Sequence, residues 1–229
     1  MKKILLSSLF LTVVSHLWSQ QFVAPSATLK PSAFDKKLRW GISLTQSWST
    51  ITGNSSSYFS KPSVGILASV EYFPLDFLGV SAGIGYQQRG TGIKSNYTGP
   101  VDSTYRERLR FNTFEVPISV IIRTPKDIMK GLRLSGSIGI VPIINRNSRD
   151  SKISVEPNIA DLDETKDVSS SYFKNDVAFQ FMAGPEIDMA SSQIIKIQFY
   201  YSQGTTNVFS AGQGTGHNQN IGLRLSWMF

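Results

Sequence analysis

The chain alternates apolar and polar residues with a period of two, segment after segment, and the face opposite the apolar one is built of small residues. In residues 38–48, Leu38, Trp40, Ile42, Leu44 and Trp48 share one side, while Gly41, Ser43, Thr45 and Ser47 fill the other beside Arg39. Successive side chains of a strand point to opposite faces, so each such segment is a strand with one greasy side. The pattern returns in residues 63–72, 78–89, 113–123, 132–140, 177–187, 195–201 and 221–229, which makes eight strands. A soluble sandwich would bury its apolar faces and carry long charged side chains outside. Here the second face is Gly, Ser, Ala and Thr with isolated charges, which suits the crowded interior of a narrow barrel. The apolar face then meets lipid, and segments of about 9–11 residues are long enough to cross a bilayer at a tilt. Closure pairs every backbone group, as hydrocarbon demands. The expected fold is all-β: an eight-stranded antiparallel up-and-down transmembrane β-barrel. A ten-stranded barrel that recruits part of residues 146–175 is the alternative.

Three further features point the same way. The connections 73–77, 124–131 and 190–193 are short, whereas 50–61, 90–107, 146–175 and 204–218 are long. Short turns on one side and long loops on the other is the outer-membrane arrangement, with both termini periplasmic for an even strand count. Aromatic residues gather at the strand ends. Trp40, Tyr72, Trp227 and Phe229 form an expected periplasmic girdle, and Trp48 and Tyr86, with Phe114, Phe179 and Tyr201, an outer one. The last strand ends in Trp227-Met228-Phe229, with Phe229 in phase with the lipid-facing row Ile221, Leu223 and Leu225. Such an end resembles the signal that barrel-insertion machinery reads, which makes that machinery an expected partner.

The first segment reads as an address. Met1-Lys2-Lys3 is a basic start, residues 4–14 are apolar and residues 15–20 are polar, the layout of a secretory signal peptide. The expected organisation is a signal peptide at 1–19, a periplasmic segment at 20–36 and the barrel domain at 37–229, exported to the outer membrane of a Gram-negative cell. Removing Lys2 and Lys3 lowers the formal charge from +7 to +5. The remaining basic residues are dispersed, with no recognition helix or RNA-binding motif, so nucleic acid is not an expected partner. Cysteine is absent, which excludes disulfides, thiol catalysis and thiolate metal sites.

Two motifs carry a family resemblance. Gly85-Tyr86-Gln87-Gln88-Arg89-Gly90 closes the third strand, and Phe114-Glu115-Val116-Pro117-Ile118 opens the fourth. Together they resemble the "Y-x-x-[KR]-G" and "L-E-I-P-L" signatures of the small outer-membrane barrels abundant in Bacteroidota, often labelled PorT-like. The resemblance covers most of the chain after its signal. It implies an OmpA/OmpX-type barrel and no single activity; the founding branch is tied to type IX protein secretion.

Signals for chemistry are weak. Acyl transfer needs a nucleophile or activated water with a base in reach. His217, expected in a rim loop, is the one histidine beyond the signal, and no Ser or Glu is spaced to join it. The Gly212-Gln213-Gly214-Thr215-Gly216 run lacks a following helix, so it is no phosphate loop. Asp161, Asp163 and Glu164 form an acidic group without the spacing of a calcium loop. No catalytic, cofactor-binding or metal residue is assigned.

Charge on the small-residue face is more informative. Arg39, Glu71, Arg123, Arg133, Glu186, Lys196 and Arg224 share the inward parity in the lower half, and Arg89 and Glu115 lie higher on neighbouring strands. They make either a polar conduit or an ion-pair plug, and an eight-stranded interior, with room only for side chains, favours the plug. At the outer rim, Arg106, Arg108 and Arg110 suit contact with lipopolysaccharide phosphate, since arginine forks match phosphate geometry. The expected function is a non-enzymatic scaffold or binding surface using long extracellular loops, in an envelope or secretion complex. A porin-like channel for small solutes and a lipid A-modifying enzyme are the second and third readings.

Overall fold

Strands with one apolar face and short connections zip into antiparallel hairpins, and the last hairpin partner of the series is the first strand. The computed structural model describes residues 33–53, 58–97, 103–125, 128–155, 164–167, 175–189, 193–207 and 215–229. The expected signal peptide, the segment 20–32, Asp161, Asp163 and the glycines at 212 and 214 lie outside the described residues. The strands are β1 (Leu38–Gly53), β2 (Tyr58–Leu75), β3 (Leu78–Tyr97), β4 (Ser103–Glu115), β5 (Ile118–Arg123), β6 (Leu132–Val155), β7 (Glu164–Asp167), β8 (Asp176–Met189), β9 (Gln193–Gly204) and β10 (Gly216–Met228).

They form one sheet closed on itself. β1 pairs with β2 on one side and with β10 on the other, from Gly41 opposite Met228 to Gly53 opposite Gly216. Phe229 adds the last rung, its N–H donating to the Trp40 carbonyl at 2.7 Å. β4 and β5 both lie between β3 and β6 and are two halves of one stave. The break falls at Val116-Pro117, because proline has no N–H to give the ladder. Carbonyl contacts hold it shut: Gly83 N donates to Pro117 O and Val116 N to Pro142 O, each at 3.0 Å. The wall thus has eight staves, or nine strands if the halves are counted apart. β7 pairs with β6 beside that ring, so the tenth strand does not enlarge the barrel.

Burial is inverted relative to a water-soluble protein. Leu44, Ile66, Val80, Val120, Ile138, Phe199 and Leu223 stand exposed on the outside of the wall. Arginine, lysine, glutamate and serine are buried inside it. Exposed apolar residues scattered singly need no explanation, but a continuous band around a closed sheet does, and lipid supplies it.

The outer connections are shorter than the alternation suggests. β3 continues to Tyr97 and β4 begins at Ser103, so most of the expected 90–107 loop is ladder. β6 runs 24 residues to Val155 and takes up the start of the expected 146–175 loop. Above the bilayer both faces of a strand meet water, so the apolar stripe that marks a strand below is no longer required. At the base the turns are tight: Asp76-Phe77 joins β2 to β3, and Gly131 supplies the left-handed residue (φ 76°) before β6.

Candidate functional site

Closing eight staves brings inward side chains of distant strands within reach, and the lumen is crossed by struts. Lys196 Nζ of β9 lies 2.7 Å from both carboxylate oxygens of Glu71 on β2, three staves away around the ring, and 2.9 Å from Glu186 Oε1 on β8. Glu186 also faces Arg39 of β1 at 3.7 Å, again across the interior. Higher up, Arg89 of β3 meets Glu115 of β4 through Nε at 2.8 Å and Nη2 at 2.6 Å. Gln87 of β3 donates to Ser47 of β1, and Gln198 of β9 to Ser135 of β6. Arg224 of β10 donates to Thr45 Oγ1 at 3.0 Å and lies over the buried Tyr200 ring. The nine charges placed inward by parity, Arg39, Glu71, Arg89, Glu115, Arg123, Arg133, Glu186, Lys196 and Arg224, are each at most 9% exposed. Paired and hydrogen-bonded charge is the form in which a low-dielectric interior tolerates ions.

The base of the lumen holds a group that alternation does not reveal. Residues Ala33–Asp35, just ahead of β1, form a 3-10 turn whose Ala33 and Phe34 are buried. The Phe34 carbonyl accepts from Arg39 Nη2 at 3.0 Å and from Arg123 Nη2 at 3.2 Å. Arg133 stacks over the Phe34 ring at 4.4 Å, and Arg39 and Arg123 stack over Phe73 at 4.7 and 3.9 Å. Ala33 N donates to Asp188, and Ala33 and Phe34 pack with Ile194 and Met228. Two aromatic faces and a carbonyl thus receive three guanidinium groups. The expected division at 36/37 therefore cuts a packed unit: the end of the preceding segment is part of the barrel base. Phe34 precedes the first periodic stretch, so no sequence pattern marks it.

The girdle residues lie on the outward face. Trp40, Trp48, Tyr72, Tyr86 and Trp227 are between 37% and 57% exposed. Phe229 is half-buried, stacked between Trp40 at 4.6 Å and Trp227 at 5.6 Å. At the outer rim Arg110 is exposed on β4, opposite Gly90 and Arg149. On the same strand Arg108 is opposite Gly92 and Arg106 opposite Lys94. Register therefore places Arg106, Arg108 and Arg110 at alternate positions along β4, with Arg110 beside Arg149 of β6.

His217 departs from expectation. It is a β10 residue opposite Thr52, on the outward row with Ile221 and Leu223, not a loop residue. The strand begins at Gly216 because the β1–β10 ladder continues to Gly53, above the last apolar residue. An outward imidazole has no inward serine or carboxylate beside it on its own strand. Among the described residues no three His, Cys, Asp or Glu side chains group as metal ligands.

The sequence from residue 18 to 210 matches the family described as outer membrane protein beta-barrel domain. The chain belongs to that family. Its location is therefore the outer membrane, and the apolar band of the wall is its lipid-facing surface. Several solved structures are similar to the chain at low identity. Ail, the attachment invasion locus protein of Yersinia pestis, is 11% identical with a TM-score of 0.45, covering 85% of this chain and 100% of its own. Neisserial surface protein A is 9% identical with a TM-score of 0.39, covering 82% and 95%. The N-terminal barrel domain of Pseudomonas aeruginosa OprF is 15% identical with a TM-score of 0.33, covering 82% and 97%. No curated protein sequence matches the chain.

Proposed function

We propose that this outer-membrane barrel is a closed, non-enzymatic scaffold that presents its extended outer strands as a binding surface. The observation that carries this is the set of struts through the lumen: Lys196 with Glu71 and Glu186, Arg39 with Glu186, and Arg89 with Glu115. A solute would have to break buried ion pairs to pass, which argues against the porin-like channel. Binding then falls to the outer sheet of β3, β4 and β6. Its basic row, with Arg106, Arg108 and Arg110 at the centre, suits the phosphates of lipopolysaccharide headgroups at that height. The Tyr86 and Glu115 motifs support a PorT-like, Bacteroidota assignment, export by the residue 1–19 signal and a role within an envelope or secretion complex.

Planar-bilayer recording of the refolded chain tests the closed lumen. Steady ohmic conductance would overturn it in favour of a channel. The binding face is tested by titrating lipopolysaccharide against the triple variant Arg106→Gln, Arg108→Gln, Arg110→Gln. Affinity should fall and its salt dependence flatten, and an unchanged titration would remove these residues from the interface. Mass analysis of lipid A from cells with and without the chain tests the enzymatic reading, and a new acylation state would refute the scaffold.

A further inference from the structure

Register around the ring locates a polar notch in the lipid-facing band. A row of directly opposed residues that starts at Leu38 passes through Val80 of β3, Ile138 of β6 and Tyr201 of β9. It returns to β1 at Trp48, ten residues above its start. Over eight staves the row therefore climbs about 1.25 residues per stave, the stagger of a tilted barrel. With that climb removed, the outward residues level with Trp48 are Val64 on β2, Phe114 on β4, Ile144 on β6 and Val177 on β8, all apolar. On β9 and β10 the level residues are Gln203 and Gln219. Gln88 of β3 also stands at this height, but between apolar neighbours on β2 and β4. Two adjacent staves thus carry amides at the height of the outer aromatic girdle.

The notch is an organised surface. Gln219 Nε2 donates to Tyr201 OH at 3.2 Å, and Tyr201 OH donates to Gln203 Oε1 at 3.1 Å. Gln203 Nε2 donates to Thr52 Oγ1 at 3.4 Å, and Thr52 Oγ1 to the His217 carbonyl at 3.3 Å. This chain ties β9, β10 and β1 together on the outer face and spares two groups. Gln219 keeps its carbonyl oxygen and one amide hydrogen, and Thr50, directly opposite on β1, keeps its hydroxyl; neither meets a further partner among the described residues. Residues 48–53, 199–204 and 216–223 include no Lys, Arg, Asp or Glu. Just below, Phe199, Ile221 and Leu223 stand exposed in the lipid band. An occupant of this face is therefore apolar below and uncharged but polar at the girdle, within one molecule, which describes an amphiphile. A spare carbonyl beside a spare N–H matches an amide, which offers the converse pair, whereas an ester offers acceptors alone.

We propose that the outer face of β9, β10 and β1 seats the neck of an outer-leaflet glycolipid, where amide-linked acyl chains join a hydroxyl-bearing sugar. Gln219 pairs with the amide, Thr50 with a sugar hydroxyl, and Phe199, Ile221 and Leu223 flank the acyl chain. The choice of ligand rests on the lipopolysaccharide reading above, but this contact uses no phosphate and lies on other staves than Arg106, Arg108 and Arg110.

The test is native mass spectrometry of the full-length chain refolded in detergent, titrated with lipid A, with lipid A stripped of its phosphates, and with phosphatidylethanolamine. Both forms of lipid A should bind more tightly than the phospholipid. The double variant Thr50→Val, Gln219→Leu, which makes the notch apolar like its neighbours, should weaken both by about tenfold, the loss of two neutral hydrogen bonds. That loss should not change with salt, since no charge is involved. Tyr201→Phe removes the hydroxyl that Gln219 leans on, should weaken binding by about threefold, and carries the test should the double variant not fold. The triple variant of Arg106, Arg108 and Arg110 should leave binding of the phosphate-free lipid unchanged. Phosphate-free lipid A that ignores Thr50, Gln219 and Tyr201, or phosphatidylethanolamine bound as tightly as lipid A, would overturn the neck site and leave the arginine reading standing. Intact lipid A that ignores the arginines while the phosphate-free form still depends on Gln219 would do the reverse. A dimer of the chain that the double variant dissolves would assign the face to a second copy and refute the lipid.

Discussion

Lys196→Met isolates what the central strut contributes. Lys196 Nζ sits 2.7 Å from both Glu71 oxygens and 2.9 Å from Glu186, with all three side chains at most 9% exposed. At an effective dielectric of about 20, a contact at that distance has a gross Coulomb energy of about 6 kcal/mol, most of it offset by desolvation. The variant keeps both carboxylates buried and removes their shared cation. Glu186 retains Arg39 at 3.7 Å, whereas Glu71 keeps no ion-pair partner among those described. Removing one member of a buried pair costs about 3–5 kcal/mol, and that is the expected loss. Lys196→Met with Glu71→Gln removes the stranded charge and should recover most of it, finishing within about 1–2 kcal/mol of the parent because neutral replacement of a buried pair is often tolerated. Reversible urea unfolding in detergent or lipid vesicles, followed by tryptophan emission and by gel mobility, measures both. A double variant as unstable as the single one would refute the electrostatic account and assign the loss to packing of the lysine stem.

Other perturbations separate lipid, base and terminus. Val120, 44% exposed between Val80 and Ile138, should lose about 2–4 kcal/mol as Val120→Arg near the bilayer midplane, while Ser119→Ala on the lumen side costs far less; equal losses in reversible unfolding would deny that Val120 faces lipid. Phe34→Ala should cost about 3–5 kcal/mol and Phe34→Leu about 1, since leucine keeps the volume and forfeits the Arg133 stack at 4.4 Å; indifference to both would show that the base folds without its turn. Deleting Phe229 should reduce the heat-modifiable folded fraction in cells far more than in detergent refolding, because burial of one phenylalanine is worth only about 1.5–3 kcal/mol. Normal insertion in cells would remove the recognition role, and poor refolding in detergent would make the residue a packing element.

Parity made the inner and outer faces legible. Where one strand face is apolar and the other small and polar, position modulo two decides the side, and Arg39, Glu71 and Lys196 stand on the side of Ser43, Ser69 and Gln198. Partners were not legible in the same way. The adjacent-strand pair of Arg89 and Glu115 follows from a shared hairpin, but Lys196 reaches Glu71 only because the sheet closes and curvature brings opposite staves together. Phe34 is hidden for a different reason: a short 3-10 turn has no periodicity, and its burial comes from three arginines on other strands. The outer ends of β3, β4 and β6 carry no stripe, so ladder looked like loop there. His217 was displaced from strand to loop by the same lack of signal.

Register ties these observations together. A slip of one residue in any stave turns its whole apolar row inward and its small, charged row toward lipid. For β9 that slip would carry Lys196 into the hydrocarbon and Ile195, Ile197 and Phe199 into the lumen. Lipid opposes the slip through the outer face, where a cation near the midplane costs about 2–4 kcal/mol. The struts oppose it independently through the inner face, since Glu71 and Glu186 would lose Lys196 together. A slip of two residues keeps every face correct and escapes the first constraint altogether. It does not escape the second, because two residues along a strand shift a side chain by about 6.5 Å, well beyond the reach of a 2.7 Å contact. Hydrophobic alternation therefore chooses the faces of this barrel, while its buried charges choose among the registers that alternation leaves degenerate.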